Sequence, residues 1–406
     1  MTIVAARLKP GREKAVLLRH PWVFEGALAR VPKEAPDGAL LALQAADGTL
    51  LGHGLLNRQS QITLRLVAFG AAPVDESTLW QDLLARAVAR RGAQRPFACR
   101  LVNAEADGLP GLIVDVYGPW VVMQCLCLGM DQRKQHLAEV LAGLVGARGV
   151  LERSDSEVRK KEGLGESNGV LWGETPPDLV ELLEAGPRGT PVKLLADLHR
   201  GHKTGFYLDQ ARNRALCGQL FEGREVLNLF CYSGGFAVHA LAAGATRVLN
   251  VDASAEALAL ARKNLEANGL PVNPEDFLQA DIFKLLRGFR KEGRRFDAIL
   301  LDPPKMAFSA AQVQTAARAY KDLNLQALQL LRPGGLLVSF SCSGRVDPDL
   351  FQKILFGAAL DARVDARVIH RLNAGPDHPL LLSFPEGDYL KGLVLQVEPL
   401  APEAPL

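Results

Sequence analysis

The chain has 406 residues, 48% of them hydrophobic and 23% charged. That composition supplies a normal core and excludes a disordered chain, and the length suggests two or three domains. A formal net charge of +2 excludes a globally basic nucleic-acid binder while leaving room for a local basic patch. The sequence has no uncharged apolar run of about 18 residues, so no membrane partner is expected. Met1 to Lys9 lacks the basic-then-apolar order of a secretion signal. Six scattered cysteines (Cys99, Cys125, Cys127, Cys217, Cys231 and Cys342) are too sparse for a disulfide scaffold. Both features predict a cytoplasmic protein with reduced thiols. Cys125 and Cys127 alternate in an apolar run and read as buried on one strand face. No second pair stands at zinc spacing, so no metal is expected.

Up to about residue 70, short apolar runs are broken by Gly and Pro. Leu40–Ala45, Leu50–Leu56 and Ile62–Val67 read as strands, with Asp47-Gly48 as a hairpin turn. This predicts a small β-barrel over 1–70. It carries a dense basic and aromatic group: Lys9, Arg12, Lys14, Arg19, His20, Trp22 and Phe24. Ser77 to Arg91 has helical periodicity behind a capping cluster and reads as a linker helix within 71–94. Residues 95–187 read as a small α+β domain. Leu112–Val116 and Val121–Leu126 pair around Gly118-Pro119, a helix spans Asp131–Leu144, and strands follow at Gly149–Glu152 and Gly169–Trp172. Between those last strands, Arg159, Lys160 and Lys161 mark either a solvated basic loop or one that meets phosphate.

Over 188–406 strand and helix alternate. Val226–Phe230, Arg247–Asp252, Ala298–Asp302 and Gly335–Ser341 read as buried strands; Gly235–Ala243, Ala255–Asn268, Gln312–Leu331 and Asp349–Asp361 read as helices. The pattern predicts an α/β, doubly wound, Rossmann-like domain with a mostly parallel sheet.

Chemistry concentrates at the strand ends. Asn228 to Phe236 forms a Gly-containing turn between strand and helix, where backbone approaches a ligand closely. It differs from the dinucleotide Gly-x-Gly-x-x-Gly, which argues against a nicotinamide enzyme. Cys231 would line this turn. Asp252 ends the next strand, the place of an acid for ribose hydroxyls. Asp281-Ile282 would meet an adenine amine and cover its ring, or Asp281 would cap the helix behind it. Their order narrows the ligand to S-adenosylmethionine. The fourth strand ends in Asp302-Pro303-Pro304-Lys305, where two prolines set a stiff turn holding Asp302 and Lys305 over the sheet. Ser341-Cys342-Ser343 ends the fifth. Cys342 is read there as a nucleophile rather than a buried hydrophobe.

These residues resemble the class I methyltransferases. More narrowly, the chain resembles the bacterial 23S rRNA cytosine-C5 methyltransferases of the RlmI/RlmO family along nearly its whole length. Leu8-Lys9-Pro10-Gly11 and Arg19-His20-Pro21-Trp22-Val23-Phe24 resemble that family's N-terminal PUA domain, an RNA-binding barrel. Arg153-Ser154-Asp155 and Val158-Arg159-Lys160-Lys161-Glu162-Gly163-Leu164 resemble its central domain. His202-Lys203-Thr204-Gly205-Phe206-Tyr207-Leu208-Asp209-Gln210, with Arg212, resembles the segment entering the methyltransferase domain and covering the cofactor.

The resemblance implies S-adenosylmethionine as cofactor, 23S rRNA as partner, and a homodimer. It implies cofactor contacts from Lys203, Thr204, Phe206, Tyr207, Gln210, Asn228, Phe230, Tyr232, Ser233, Gly234, Asp252, Ala253, Asn268, Asp281, Ile282 and Asp302. RNA contacts would come from Lys9, Arg12, Arg19, His20, Trp22, Arg159, Lys160 and Lys161. In the implied mechanism Cys342 attacks carbon 6 of cytosine, Asp302 binds the base near N3 or N4, and Lys305 acidifies the thiol or contacts phosphate. Tyr207, Tyr232 and Phe308 are candidates to stack on the target base. Uridine C5 methylation shares the Asp-Pro-Pro and Ser-Cys arrangement and stays open as an alternative. An exocyclic amine methyltransferase would carry an aromatic where Lys305 stands. A catalytically inactive RNA-binding or assembly protein would lack Asp252, Asp302 or Cys342, and all three are present.

Overall fold

Short apolar runs between Gly-rich turns build the first sheet. In the computed structural model, which describes residues 4–93 and 95–400, six strands lie side by side. Their order is Trp22–Val23, Leu64–Phe69, Leu50–Leu56, Leu40–Gln44, Ala5–Leu8 and Leu28–Arg30. Neighbours run antiparallel except Ala5–Leu8 with Leu40–Gln44. The expected Asp47-Gly48 turn closes the central hairpin. Gly48 takes a φ of 94°, and the Asp47 carboxylate accepts the Thr49 N–H at 2.9 Å.

The helix Glu76–Arg91 starts on an Asp75 cap and buries Leu79, Trp80, Leu83, Leu84 and Ala87. These side chains share one core with Leu40, Leu55 and Val67 of the first sheet and Val114, Val121 and Met123 of a second. That second sheet has five strands, in the order Ser167–Gly173, Gly149–Ser154, Trp120–Cys125, Leu112–Tyr117 and Ala98–Asn103. The last was not expected, because Arg100 interrupts its apolar run. The Asp115 carboxylate accepts from the Arg100 guanidinium at 2.8 and 2.9 Å and lets that charge be buried.

The chain divides into two units. The first holds the chain up to Leu182 together with Ala196–Leu208 and Pro376–Gly387; the second holds Leu183–Leu195, Asp209–Gly375 and the chain from Asp388 on. Pro376–Gly387 is thus a late piece of sequence inside the first unit. Phe384 meets the Trp22 ring at 4.7 Å between centroids, the Ser383 hydroxyl donates to the Arg19 carbonyl at 2.9 Å, and Asp377 accepts the Arg100 N–H at 2.9 Å.

The second unit is built on a seven-stranded sheet. In chain order the strands of this sheet and the helices between them are β1 (Glu225–Leu229), α1 (Gly235–Ala243), β2 (Arg247–Asp252), α2 (Ala255–Glu266), β3 (Phe277–Gln279), α3 (Ile282–Lys291), β4 (Phe296–Leu301), α4 (Val313–Leu328), β5 (Leu331–Ser341), α5 (Pro348–Ala362), β6 (Val364–Asn373) and β7 (Lys391–Pro399). The strand order is β3-β2-β1-β4-β5-β7-β6. β1 to β5 are parallel, and β7 runs antiparallel to β5 and β6. The winding direction reverses between β1 and β4, where an open α/β sheet forms its ligand crevice at the carboxyl ends of the strands. β6 and β7 were not expected. β6 alternates charge and apolar residues on the sheet edge, and β7 follows a long excursion rather than a crossover helix.

An ion cluster ties this unit together below its surface. Glu184 accepts from Arg214 Nε at 2.9 Å and bonds His239 Nε2 at 3.0 Å. Burial pushes the Glu184 carboxyl up, but Arg214 and His239 outweigh it and hold it down at about 2, against an ordinary 4.5. A depressed folded-state pKa adds stability that is complete above the unfolded value and is lost as pH falls. The contribution is on the order of 3 kcal/mol, and it disappears between about pH 4.5 and 2. Wild type should therefore lose its advantage over Glu184→Gln on going from pH 6 to pH 3 in urea unfolding. An advantage that stays constant across that range would show that the carboxylate does not stabilise the fold.

Candidate active site

The turn joining β1 to α1 is strained. Phe230 takes φ 58°, Tyr232 φ 46° and Gly234 φ 71°. For the two residues with a side chain this costs on the order of 1–3 kcal/mol each, so the surroundings must enforce it. Asp252 at the end of β2 does so. One of its oxygens accepts the Tyr232 N–H at 2.9 Å and the other accepts the Ser254 N–H at 3.0 Å. Asn264 on α2 donates to the Ser233 carbonyl at 2.7 Å. A Cβ on Gly234 would stand 2.8 Å from that of Ala261, so only glycine lets α2 come this close.

This geometry suits a nucleoside with a charged tail. Each Asp252 oxygen keeps a lone pair for a ribose hydroxyl, and Ala253 beside it is exposed. Ile282 is buried against the core, and exposed Asp281 caps α3 by accepting the Lys284 N–H at 3.2 Å. The helix-cap reading of Asp281 is thus realised, with its second oxygen still available.

Other expected cofactor residues are placed differently. Asn228 lies buried within β1 and donates to Asn250 at 3.0 Å, below the turn rather than on it. Asn268 follows the end of α2. It stands one turn beyond Asn264 and donates to the Asn264 carbonyl at 2.7 Å. Its amide also accepts the Lys193 N–H at 2.8 Å and donates to the Lys193 carbonyl at 2.7 Å, clamping a strand of the unit. Lys203, Thr204, Phe206 and Tyr207 belong to the first unit. Within it, Thr204 donates to Asp115 at 2.6 Å and accepts from Tyr117 at 2.8 Å, Phe206 is buried, and the Lys203 ammonium sits 4.4 Å from the Tyr207 ring centre.

The reactive end is assembled by β4 and β5. Gln210, expected at the cofactor, donates to Asp302 at 3.0 Å and is itself held by Asn213 at 2.6 Å. Cys342 follows β5, half-buried, with its sulfur 3.9 Å from the Pro303 carbonyl oxygen. The two flanking serines explain this proximity. Ser343 Oγ accepts the N–H groups of Met306 and Ala307 at 3.1 and 3.2 Å, and the Tyr320 hydroxyl bridges Ser341 and Ser343 at 3.0 and 3.1 Å. The cysteine turn is therefore hydrogen-bonded to the residues that directly follow Asp-Pro-Pro-Lys. Lys305 is exposed on it, its ammonium 5.4 Å from the centre of the exposed Phe308 ring. Burial pushes the thiols of Cys99, Cys125, Cys127, Cys217 and Cys231 up, which leaves these five inert at neutral pH. Among all six cysteines, Cys342 is the one that is not fully buried.

Several expected RNA contacts are committed elsewhere. Arg159 is buried, donating to the Gly165 and Cys125 carbonyls and to Asp131. The loop is a 3-10 helix, Glu157–Glu162, whose three-residue repeat turns Arg159 and Glu162 inward and leaves Lys160 and Lys161 exposed. The Trp22 indole donates to Glu105 at 2.7 Å and packs on Phe384 and Arg65, and His20 faces Glu386 at 3.4 Å. Lys9, Arg12 and Arg19 remain exposed on the first sheet, although Lys9 also donates to the Gly26 carbonyl. Sequence reasoning missed Gln210 as a partner of Asp302, Tyr320 as the bridge, and a buried Lys391. Distant pairings of this kind leave no local pattern. Among the described residues, no helix is long and apolar enough to cross a membrane.

Comparison with known proteins agrees with this geometry. A family model described as S-adenosylmethionine-dependent methyltransferase matches residues 171–393, and a PUA-like domain model matches 6–69. The curated ribosomal RNA large subunit methyltransferase I of Shewanella amazonensis is 46% identical over 402 residues, covering 97% of this chain and 99% of the relative. Its namesake from Aeromonas hydrophila is 45% identical over 96% of this chain and 98% of its own. A solved structure from Streptococcus mutans, provisionally assigned as a SAM-dependent methyltransferase, superposes with a TM-score of 0.81 at 21% identity, covering 97% of this chain and all of its own. A second, complexed with SAH, has the same TM-score and identity and covers 98% of this chain and 100% of its own. The chain belongs to the S-adenosylmethionine-dependent methyltransferases, in the family of the ribosomal RNA large subunit methyltransferase I proteins.

Proposed function

We propose that the enzyme methylates carbon 5 of a cytosine in 23S rRNA through a covalent adduct with Cys342. The observation that carries this reading is the Cys342 turn, bonded through Ser343 to the loop that bears Asp302. Carbon 5 of cytosine is a weak nucleophile. Addition of the Cys342 thiolate to carbon 6 forms a C–S bond and makes carbon 5 enamine-like. Asp302, oriented by Gln210, hydrogen-bonds the base near N3 or N4 and steadies the adduct. Bound S-adenosylmethionine supplies an electrophilic methyl group to this position. A general base then takes the carbon 5 proton, which breaks the C–S bond and returns the thiolate. Asp252, Ala253, Asp281, Ile282, Gln210 and the Phe230–Gly234 turn would hold the cofactor.

The substrate reading draws on the names of the relatives, which are rRNA methyltransferases of the large subunit. A target base must leave its stack to reach such a pocket, which suits single-stranded or loosened RNA. In this reading residues 1–70 act as the RNA-binding PUA-like domain, 95–187 as a central domain and 188–406 as the methyltransferase domain. Lys9, Arg12, Arg19, Lys160 and Lys161 are the exposed cations left to contact phosphate. The cytoplasm is the matching compartment, and a homodimer is carried by resemblance alone.

Nucleoside mass spectrometry of 23S rRNA from a deletion strain tests this reading. Loss of one 5-methylcytidine is expected. An unchanged cytidine profile with a missing 5-methyluridine would move the reaction to uridine.

A further inference from the structure

We infer that Lys391 is a positioning residue for Cys342, its buried ammonium holding the turn after the cysteine and stabilising the thiolate. The inference rests on the reading of Cys342 as the nucleophile. Lysine is seldom buried without a partner, yet Lys391 is 6% exposed. It opens β7 in register with Ser341 of β5, the residue before Cys342. Its ammonium donates to the Ser343 carbonyl at 2.9 Å and to the Val346 carbonyl at 2.7 Å, and so brackets the turn that leaves the cysteine. Among the described residues it makes no ion pair. An ammonium has three donors, and two are spent on neutral carbonyls. A cation so placed, next to the backbone of Cys342, lowers the cost of an anion there.

The other charges leave this contribution standing. Half-buried Asp302 opposes a second negative charge here, while Asp347, Asp388 and Lys305 are all exposed and screened by solvent. Tyr320, facing the same turn, is neutral, because burial pushes its phenol up. Burial pushes the Lys391 ammonium down as well, while Asp388, Cys342 and Asp347 act in the opposite direction. Thiolate and ammonium therefore support each other's charged form. A neutral cysteine thiol has only a few per cent thiolate at pH 7, and addition to a pyrimidine needs that thiolate.

The test is the pH dependence of iodoacetamide alkylation at Cys342, read by peptide mass spectrometry on the full-length protein without RNA. The other five cysteines are buried, so this site reports by itself. Lys391→Met should move the alkylation midpoint up by about one pH unit and slow labelling at pH 7 by about tenfold. Lys391→Arg should keep the wild-type midpoint. An unshifted midpoint in folded Lys391→Met, or an equal shift in Lys391→Arg, overturns the inference. If Lys391→Met does not fold, the reciprocal measurement decides. The Lys391 ammonium, followed by lysine-selective NMR, should titrate at lower pH in Cys342→Ala than in wild type, and equal titration overturns the inference. None of these outcomes bears on whether Cys342 attacks the base. That step is tested separately by trapping on 5-fluorocytidine RNA.

Discussion

Cys342→Ala should bind S-adenosylmethionine like the wild type and lose turnover by at least about a thousandfold. Alanine cannot form the C–S bond, so carbon 5 of the base is never activated. The fold should tolerate the change, because the turn is held by Ser341, Ser343 and Tyr320 rather than by the thiol. Methyl incorporation into rRNA and calorimetric titration of the cofactor separate the two effects. Turnover near the wild-type level would remove Cys342 from the chemistry. The wild-type enzyme should also form a denaturation-resistant adduct with RNA carrying 5-fluorocytidine, since fluorine at carbon 5 leaves no proton to be lost. The alanine variant should form none.

Asp252→Ala should weaken cofactor binding by about a hundredfold or more. Two backbone donors, on Tyr232 and Ser254, lose a charged acceptor, and each such bond is worth about 1.5–3 kcal/mol. Losing the first also frees Tyr232 to leave its positive φ, so the turn relaxes away from its bound shape. A hundredfold rise in Kd corresponds to about 2.7 kcal/mol, below the sum of those losses. Asp252→Asn keeps one good acceptor and should fall between. A change of less than about threefold in the alanine variant would show that the turn holds itself.

The parts of this site that were legible beforehand are those written locally. A Gly-bearing turn after β1, an acid at the end of β2, two prolines after β4 and a cysteine after β5 each sit within a few residues of a strand. An open parallel sheet gathers such ends at one edge whatever the intervening sequence. Roles that depend on distant pairing were not legible. Arg159 reads as part of a basic run, but a single 3-10 turn buries it on Asp131 while exposing Lys160 and Lys161. Asn268 follows a helix that packs on the site through Ala261 and Asn264, yet its own amide is spent on the Lys193 backbone. Trp22 reads as an RNA contact in a basic and aromatic cluster, and Phe384, more than 350 residues later, packs on its ring. Lys391 was invisible for the same reason: β7 reaches β5 only after the excursion through Pro376–Gly387. Ala98–Asn103 was missed because the charge on Arg100 breaks the strand pattern, and its partner Asp115 stands on the next strand.

The excursion at Pro376–Gly387 also sets the order in which a ribosome can deliver this protein. Chains usually fold domain by domain as they emerge. Here the first unit lacks its last piece until Gly387 has been synthesised, and the large sheet lacks β7 until the residues after it follow. Most of both units must therefore be made before either is complete. Completion of the large sheet follows that of the first unit by only a dozen or so residues, about one to a few seconds of synthesis at roughly 5–20 residues per second. Until then Trp22 waits without Phe384, and β5 has an open edge beside the cysteine.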